Sequence, residues 1–494
     1  MVRRRHGRNH RSDFKWHSTT ARPGGWCDRS LSERPNTGVE PPPNLRHPHA
    51  SETSQGTEPM DFPPLDLALQ SRTAQVLERC VACGACAEVC PMPAPAGIDA
   101  SNPGKLTEGI LTILRGGEHA DAARWAAVCS GSGHCIPQCQ HGVDPRFMLT
   151  MARLEMASRN PDNSRRKTGF AAFGNMTASV RVLTRLQLPP DVLARFRPEN
   201  EPDSPPEVVF YTGCNLMKTP HIALLCLDML DALKVPYRVM GGPSSCCGVL
   251  QFRAGDLATS GRIAYRTIDR LRQAAPRAIS WCPTCQIQLG EVVAPAQSEN
   301  PFDMKPIVMF LAQRLDDLRP LMIHPVYKRV GLHEHPGVAG VTESAQAILR
   351  AIPGLDFVDL EQTRLGYTCN ALSAVPAFKR DSHRLQLEAA EQAGVTTLAG
   401  IYHACHRELC SHERDWPFEV VNFLELLGES MGLTRPDLFK RLKLMQDVDA
   451  ILAETAPMIE THHLDLDEAR AIIAKDMLGD QPLPLGRPAS ATVR

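Results

Sequence analysis

Neither sign of charge is in excess: Lys and Arg number 54 against 55 for Asp and Glu, a formal net charge of −1. That balance leaves no global field to hold a polynucleotide or an anionic lipid surface, so no nucleic-acid partner is expected. Long apolar runs are lacking as well. No uninterrupted stretch of about eighteen apolar residues occurs, which argues against a transmembrane segment of its own, and the Arg-rich beginning has no apolar core of a secretory signal. The expectation is a cytoplasmic protein. Also missing is a G-x-G-x-x-G turn after a strand pattern, so hydride chemistry on a flavin or nicotinamide is assigned to a partner. Against these absences stand 17 cysteines in 494 residues. In a long non-secreted chain they point to metal binding or redox chemistry rather than to a disulfide framework.

At this length, with 43% hydrophobic residues, the chain is multi-domain. Residues 1–60 are polar, rich in Arg, Pro, Ser and His, and without periodicity; they are expected to form a disordered tail in which Cys27 is idle. Met60, directly before DFPPLDLAL, is as sensible a start as Met1. From 64 to 185 the pattern is helical with cysteines in the turns: LALQSRTAQVLERC, KLTEGILTILRGG, DAARWAAVC, PRFMLTMARLEMASR. Residues 186–206 have a linker's composition. Short β-rich runs then alternate with helical ones (EVVFYTG, IALLCLDMLDAL, PYRVMG, GRIAYRTIDRLRQA, RAISWC), the mark of parallel α/β units. A second series repeats that order (YKRVGLHEH, SAQAILRAI, LDFVDL, HRLQLEAAEQAG, TTLAGIYHAC). Aligning the two puts Cys247 on Cys369 and Cys282 on Cys405, offsets of 122 and 123. We read an internal duplication over 207–433, with an intact repeat at 207–325 and a degenerate one at 326–433. Residues 434–494 form a helical extension and a loose tail.

Cys80, Cys83, Cys86 and Cys90, followed by Pro91, make C-x2-C-x2-C-x3-C-P, the run by which bacterial ferredoxins wrap iron-sulfur clusters. Gly84 suits the sharp bend, which needs a residue tolerant of positive φ. Cys129, Ser132, Cys135 and Cys139 repeat the same intervals, with Ser in one position. In the two-cluster arrangement Cys80, Cys83, Cys86 and Cys139 hold one complete [4Fe-4S] cluster, and Cys90, Cys129 and Cys135 remain for a second. Three thiolates suit a [3Fe-4S] cluster. A labile second [4Fe-4S] cluster with Ser132 or His134 as the odd ligand, or no second cluster, are the alternatives, Ser132 being the poorest donor because its hydroxyl is hard and weakly acidic. A zinc knuckle seldom uses four cysteines so spaced. With CQHGVDP at Cys139–Pro145, this segment resembles the α-helical ferredoxin domain of succinate dehydrogenase iron-sulfur subunits, although Gln140 stands where that family has Pro.

Cys214 follows the first strand pattern, Cys246-Cys247-Gly248 the second, and Cys282-Pro-Thr-Cys285 the third. Each falls where a parallel strand ends, and ligands in open α/β sheets collect there. A structural zinc site or a redox dithiol explains Cys282 and Cys285 but leaves three thiols idle. The pattern resembles the cysteine-rich CCG module of heterodisulfide reductase catalytic subunits. That resemblance implies that Cys214, Cys246, Cys247, Cys282 and Cys285 are the catalytic set, holding a noncubane [4Fe-4S] cluster at which a disulfide is reduced in one-electron steps. Cys226, on an apolar helical stripe, is a core residue. In the degenerate repeat Cys214 falls on Pro336, Cys246 on Thr368 and Cys285 on Glu408, so a second five-thiolate cluster is not expected. Yet His333, His335, His403, His406 and Cys410 lie near the same strand ends. Either the repeat has decayed into a lid over the single cluster, the reading preferred from sequence, or these residues join Cys369 and Cys405 in a mononuclear zinc or iron site.

The expected fold is therefore an α-helical ferredoxin-like domain followed by a duplicated α/β CCG domain with parallel sheets, after a disordered N-terminal tail. The resemblance implies an iron-sulfur electron-transfer subunit of the heterodisulfide reductase type, reducing a disulfide or persulfide or oxidising a thiol. Its implied partners are a flavoprotein or quinone-linked membrane redox subunit, which could hold it at the inner face of the membrane, and a thiol or disulfide carrier as substrate. The alternative is a non-catalytic conduit beside a flavoprotein, as in the iron-sulfur subunits of anaerobic glycerol-3-phosphate, glycolate and lactate dehydrogenases.

Overall fold

Apolar periodicity and capping residues place the first helices of the computed structural model, which describes residues 64–197, 205–296 and 303–479. The tail to residue 60 with Cys27, part of the linker (198–204) and residues 480–494 lie outside the described residues. Helices α1 (Leu65–Arg79), α2 (Ala85–Glu88), α3 (Pro103–Leu114), α4 (Ala120–Val128) and α5 (Pro145–Ser158) follow the helical runs of the sequence. Asn102 caps α3 by accepting from the Lys105 N–H, and Asp144 caps α5 by accepting from Arg146 and Phe147; each is followed by Pro, which fits a first helical turn. Ile110, Trp125, Ala126, Met148 and Ala152 fill the space between these helices.

Helix α6 (Asp162–Arg185) leaves that bundle for the α/β region. Thr184 Oγ1 donates to the Met217 carbonyl at 2.7 Å, and Gln187 Nε2 to that of Lys218 at 2.9 Å. Val182, Leu183 and Leu186 share a core with Phe439, Leu442 and Ile451 of the C-terminal helices. The start of the proline-rich segment is thus docked: Leu186 and Leu188 are buried, and Pro190–Ala194 is a short helix.

Two four-stranded parallel sheets follow. Strands β1 (Val208–Tyr211), β2 (Tyr237–Met240), β3 (Arg277–Ser280) and β4 (Met304–Pro306) lie in the order β2-β1-β3-β4. Strands β5 (Arg329–His333), β6 (Asp356–Val358), β7 (Thr397–Gly400) and β8 (Glu419–Asn422) lie in the order β6-β5-β7-β8. The second sheet repeats the topology of the first. β1, wholly buried, is covered on both faces, as parallel strands joined by helical crossovers must be. The helices Pro220–Ala232 and Phe423–Met431 pack between the sheets, and Trp281 stacks on Phe423 with centroids 6.0 Å apart, so both sheets share one core.

Strand pairing refines the sequence alignment. Val208 of β1 pairs with Arg277, and Val330 of β5 with Thr397. Cys285 lies eight residues beyond Arg277 and Cys405 eight beyond Thr397, so Cys405 takes the place of Cys285 and not that of Cys282. Tyr402 stands where Cys282 does, each at the N-cap of the helix after its strand. The offset of 123 fails because chemical identity aligned two cysteines that the strands do not.

Candidate functional site

The ferredoxin-type cysteines cluster in the turns of the helical bundle. Cys80 ends α1, Cys86 lies in α2, Cys90 follows it, Cys129 ends α4, and Cys135 and Cys139 precede α5. Gly84 holds φ +88°, and a Cβ there would come within 2.5 Å of the Gly104 backbone nitrogen, so the tight bend admits no side chain. Burial raises the Cys80 thiol, and after the Ala82 backbone N–H lowers it, Cys139 and Cys83 raise it again. Burial pushes Cys86 up to about 11, with Thr107 opposing and Cys80 and Cys83 adding. The second set converges likewise: burial raises Cys135 strongly, reinforced by Cys129 and Cys90. Cys80 thus lies near Cys83 and Cys139, Cys86 near Cys80 and Cys83, and Cys135 near Cys129, Cys90 and also Cys86, so the two sets adjoin each other. Ser132 is buried, whereas His134 points Nε2 at the Arg364 carbonyl, 2.8 Å away.

Trp125 was invisible to sequence reasoning, since a lone aromatic in a helix reads as core. Its indole N–H donates to Cys90 Sγ at 3.3 Å. Such a bond to a thiolate is a lever on redox potential.

The five CCG cysteines meet at the carboxyl ends of β1, β2 and β3. The order β2-β1-β3-β4 makes the crevice between β1 and β3 the switch point of the sheet, where crossovers leave in opposite directions and ligands settle. Cys246, Cys247, Cys282 and Cys285 are buried and Cys214 is half-buried. Burial pushes Cys214 up to about 12, helped by Cys247 and Cys282. The Cys246 thiol donates to Cys247 and holds it well below the usual range, with help from Cys285; Cys285 likewise lowers Cys282. Backbone supports the array: Gly213 takes φ +62°, where a Cβ would stand 3.1 Å from Cys285 Sγ, and the Gly248 N–H donates to Cys246 Sγ at 3.4 Å. Tyr211, fully buried beneath the thiols, donates its hydroxyl to the Ser245 carbonyl at 2.7 Å and pins the loop bearing Cys246. A strand-end tyrosine carries no sequence signal for that role. Cys247 and Cys282 are thus favoured as thiolates by their neighbours, whereas burial resists ionisation at Cys214, where a bound metal would supply the positive charge; this donor set fits an iron-sulfur group. Cys226 is buried in the core, as its apolar stripe implied.

In the second sheet the same strand ends bring His333, His335, Cys369 and Cys405 together. Burial alone would raise Cys405, but Cys369, His335 and His333 hold it low. His403, His406 and Cys410 do not join them: His406 Nε2 lies 2.6 Å from Asp437 Oδ2, and Cys410 packs against the C-terminal helices.

Fold and thiol array together define a cysteine-rich domain on a parallel sheet. Residues 208–290 match the family described as the cysteine-rich domain CCG, so the resemblance read from the sequence holds for the segment from β1 past β3 in which the five cysteines lie. The chain is also 27% identical over 232 residues to one subunit of the fumarate reductase (CoM/CoB) of Methanothermobacter marburgensis. That match covers 44% of this chain and 45% of the relative, so less than half of each is compared. Among the described residues, no helix is long and apolar enough to cross a membrane.

Proposed function

We propose that the protein is an iron-sulfur electron-transfer subunit of a redox complex, and that Cys214, Cys246, Cys247, Cys282 and Cys285 form the site where a disulfide or persulfide is reduced or a thiol oxidised. The convergence of these five cysteines at one sheet switch point carries this reading. A noncubane [4Fe-4S] cluster held there would supply one-electron chemistry at a substrate sulfur, and a [4Fe-4S] cluster on Cys80, Cys83, Cys86 and Cys139 would supply its electrons, with Cys90, Cys129 and Cys135 holding a [3Fe-4S] or a labile second [4Fe-4S] cluster.

The chain's own groups support that use. Gly213 lets the backbone pass against Cys285, and Tyr211 fixes the Cys246 loop from below. A cavity of about 790 Å³ is lined by Asn215, the chain neighbour of Cys214, and runs to the second sheet past Lys218, Lys379, Arg380, Arg407 and Lys475. These cations outnumber Glu408, Glu468 and Asp476 in the same wall and favour an anionic thiol carrier. The relative's being one subunit of a reductase favours a partner that brings a flavin or quinone. A membrane-bound partner would place the protein on the cytoplasmic face.

A second reading, the pure conduit, is favoured by the burial of four of the five cysteines. Electron paramagnetic resonance of the anaerobically purified, oxidised protein separates the two. A signal altered by added thiols and lost in Cys247→Ala supports thiol chemistry; a spectrum indifferent to thiols supports the conduit and overturns the catalytic assignment.

A further inference from the structure

The second sheet holds a four-donor constellation that the redox reading does not use. His333 ends β5, His335 follows two residues later, Cys369 lies in the loop after β6, and Cys405 opens the helix after β7. By strand pairing these occupy the switch point that in the first sheet belongs to the five cysteines, with Cys405 in the position of Cys285. All four are buried, none more than 7% exposed. Their ligand atoms lie within 4.8 Å of one another. His333 Nε2 is 3.1 Å from Cys369 Sγ, and His335 Nε2 is 3.0 Å from Cys405 Sγ and 3.7 Å from Cys369 Sγ.

Those separations identify the ligand class. With Zn–N of about 2.0 Å and Zn–S of about 2.3 Å, a tetrahedron has nitrogen-sulfur edges of roughly 3.5 Å. The observed edges bracket that value, and the set is too compact to straddle two irons. The imidazoles are prepared as well. His335 donates Nδ1–H to the Leu365 carbonyl at 2.6 Å, which fixes the tautomer and turns the Nε2 lone pair toward the sulfurs, the outer-shell bond that metal-bound histidines make. His333 Nδ1 is buried without a partner among the described residues, so nothing but its Nε2 contact accounts for a polar ring in this position. A cavity of about 290 Å³, lined by His333, His335, Cys369 and His383, gives a path for an ion to arrive.

We propose that His333, His335, Cys369 and Cys405 bind one zinc ion in a closed, tetrahedral, structural site. Two imidazoles and two thiolates are a zinc donor set, and zinc outcompetes ferrous iron for it. The ion joins the carboxyl ends of β5 and β7 to the loop after β6. The second sheet is therefore a repeat whose metal has been exchanged rather than an emptied lid. This assignment stands independently of the thiol chemistry, which fails or survives on the thiol response of the iron signals.

The test is elemental analysis and zinc-edge X-ray absorption on the full chain purified anaerobically. One zinc per chain is expected, with a first shell of two sulfurs and two nitrogens. Cys405→Ser and His335→Ala should lose that zinc while keeping the iron of the intact protein. Because either variant could misfold, His333→Cys is the decisive companion: it should retain one zinc, with the shell changed to three sulfurs and one nitrogen. Zinc absent from iron-replete protein, iron bound by these four residues, a Cys369–Cys405 disulfide, zinc retained in Cys405→Ser, or an unchanged shell in His333→Cys would each overturn the assignment.

Discussion

At the scale of single residues, the thiol sites depend on positions where no side chain fits. Gly213 sits at φ +62° with the space of its missing Cβ taken up by Cys285 Sγ and Cys282. Gly213→Ala should therefore lose the iron bound at the CCG cysteines while the ferredoxin-type iron is kept, a partial fall in iron per chain measurable by elemental analysis; unchanged iron would show that the loop relaxes. The cysteine pattern was legible because ligand spacing is chemistry written along the chain: Cys80, Cys83 and Cys86, three residues apart, lie close together where α1 gives way to α2. Trp125, Thr107 and Tyr211 were not, because what they do is fixed by where a helix or strand points them across the fold. The same limit applied to His333 and His335, which sequence reading could place near a strand end but not distinguish from His403 and His406.

At the scale of elements, periodicity located the helices, and the strand-helix alternation foretold two parallel sheets of like order. Register was the part that needed three dimensions: Cys405 follows its strand by the same count as Cys285, a relation set by hydrogen bonding between β5 and β7. The helix Leu438–Met445 carries a cost that sequence concealed. Lys443 is fully buried and bonds to the Arg407 carbonyl, and burial pushes its ammonium from 10.5 down to about 8, against smaller opposing effects of Cys410 and Glu408. Below about pH 8 both folded and unfolded chains carry the proton, and the desolvation cost is present in full. Between about 8 and 10.5 the unfolded chain binds more protons, so this residue's contribution to stability rises with pH. Lys443→Met should raise the melting temperature at neutral pH, by an amount reflecting up to about 3 kcal/mol, less roughly 1 kcal/mol for the carbonyl left unpaired. That advantage should fade toward pH 10.5; a difference constant in pH would refute the account.

At the scale of the whole molecule, the helical bundle is fastened to both sheets. Arg146, just inside α5, donates to the Gly131 carbonyl at 3.2 Å within the bundle, to the Gly337 carbonyl in the loop after β5 of the second sheet at 2.6 Å, and to Glu291 in the connection between β3 and β4 of the first sheet at 2.6 Å. Arg72 adds bonds to the carbonyls of Glu291 and Val292. Glu291 is 40% exposed, which weakens its share, so Arg146→Ala should cost about 2 kcal/mol. Denaturant unfolding of the iron-loaded protein checks this, and a loss below roughly 0.5 kcal/mol would mean that the Arg146 contacts do not fasten the bundle.

Biogenesis is constrained by the segment that reaches back from the second sheet. The Tyr367 N–H donates to the Ser130 carbonyl at 3.2 Å, its ring covers Gly131, and the Arg364 carbonyl engages His134, 230 residues earlier in the chain. The loop presenting Cys129 and Cys135 is thereby roofed by a part of the chain made long after it. On the proposed cluster assignment, a factor delivering iron and sulfur to that loop would have to act before the roof closes, whereas Cys83, exposed at the other set, leaves that position open to loading in the finished fold.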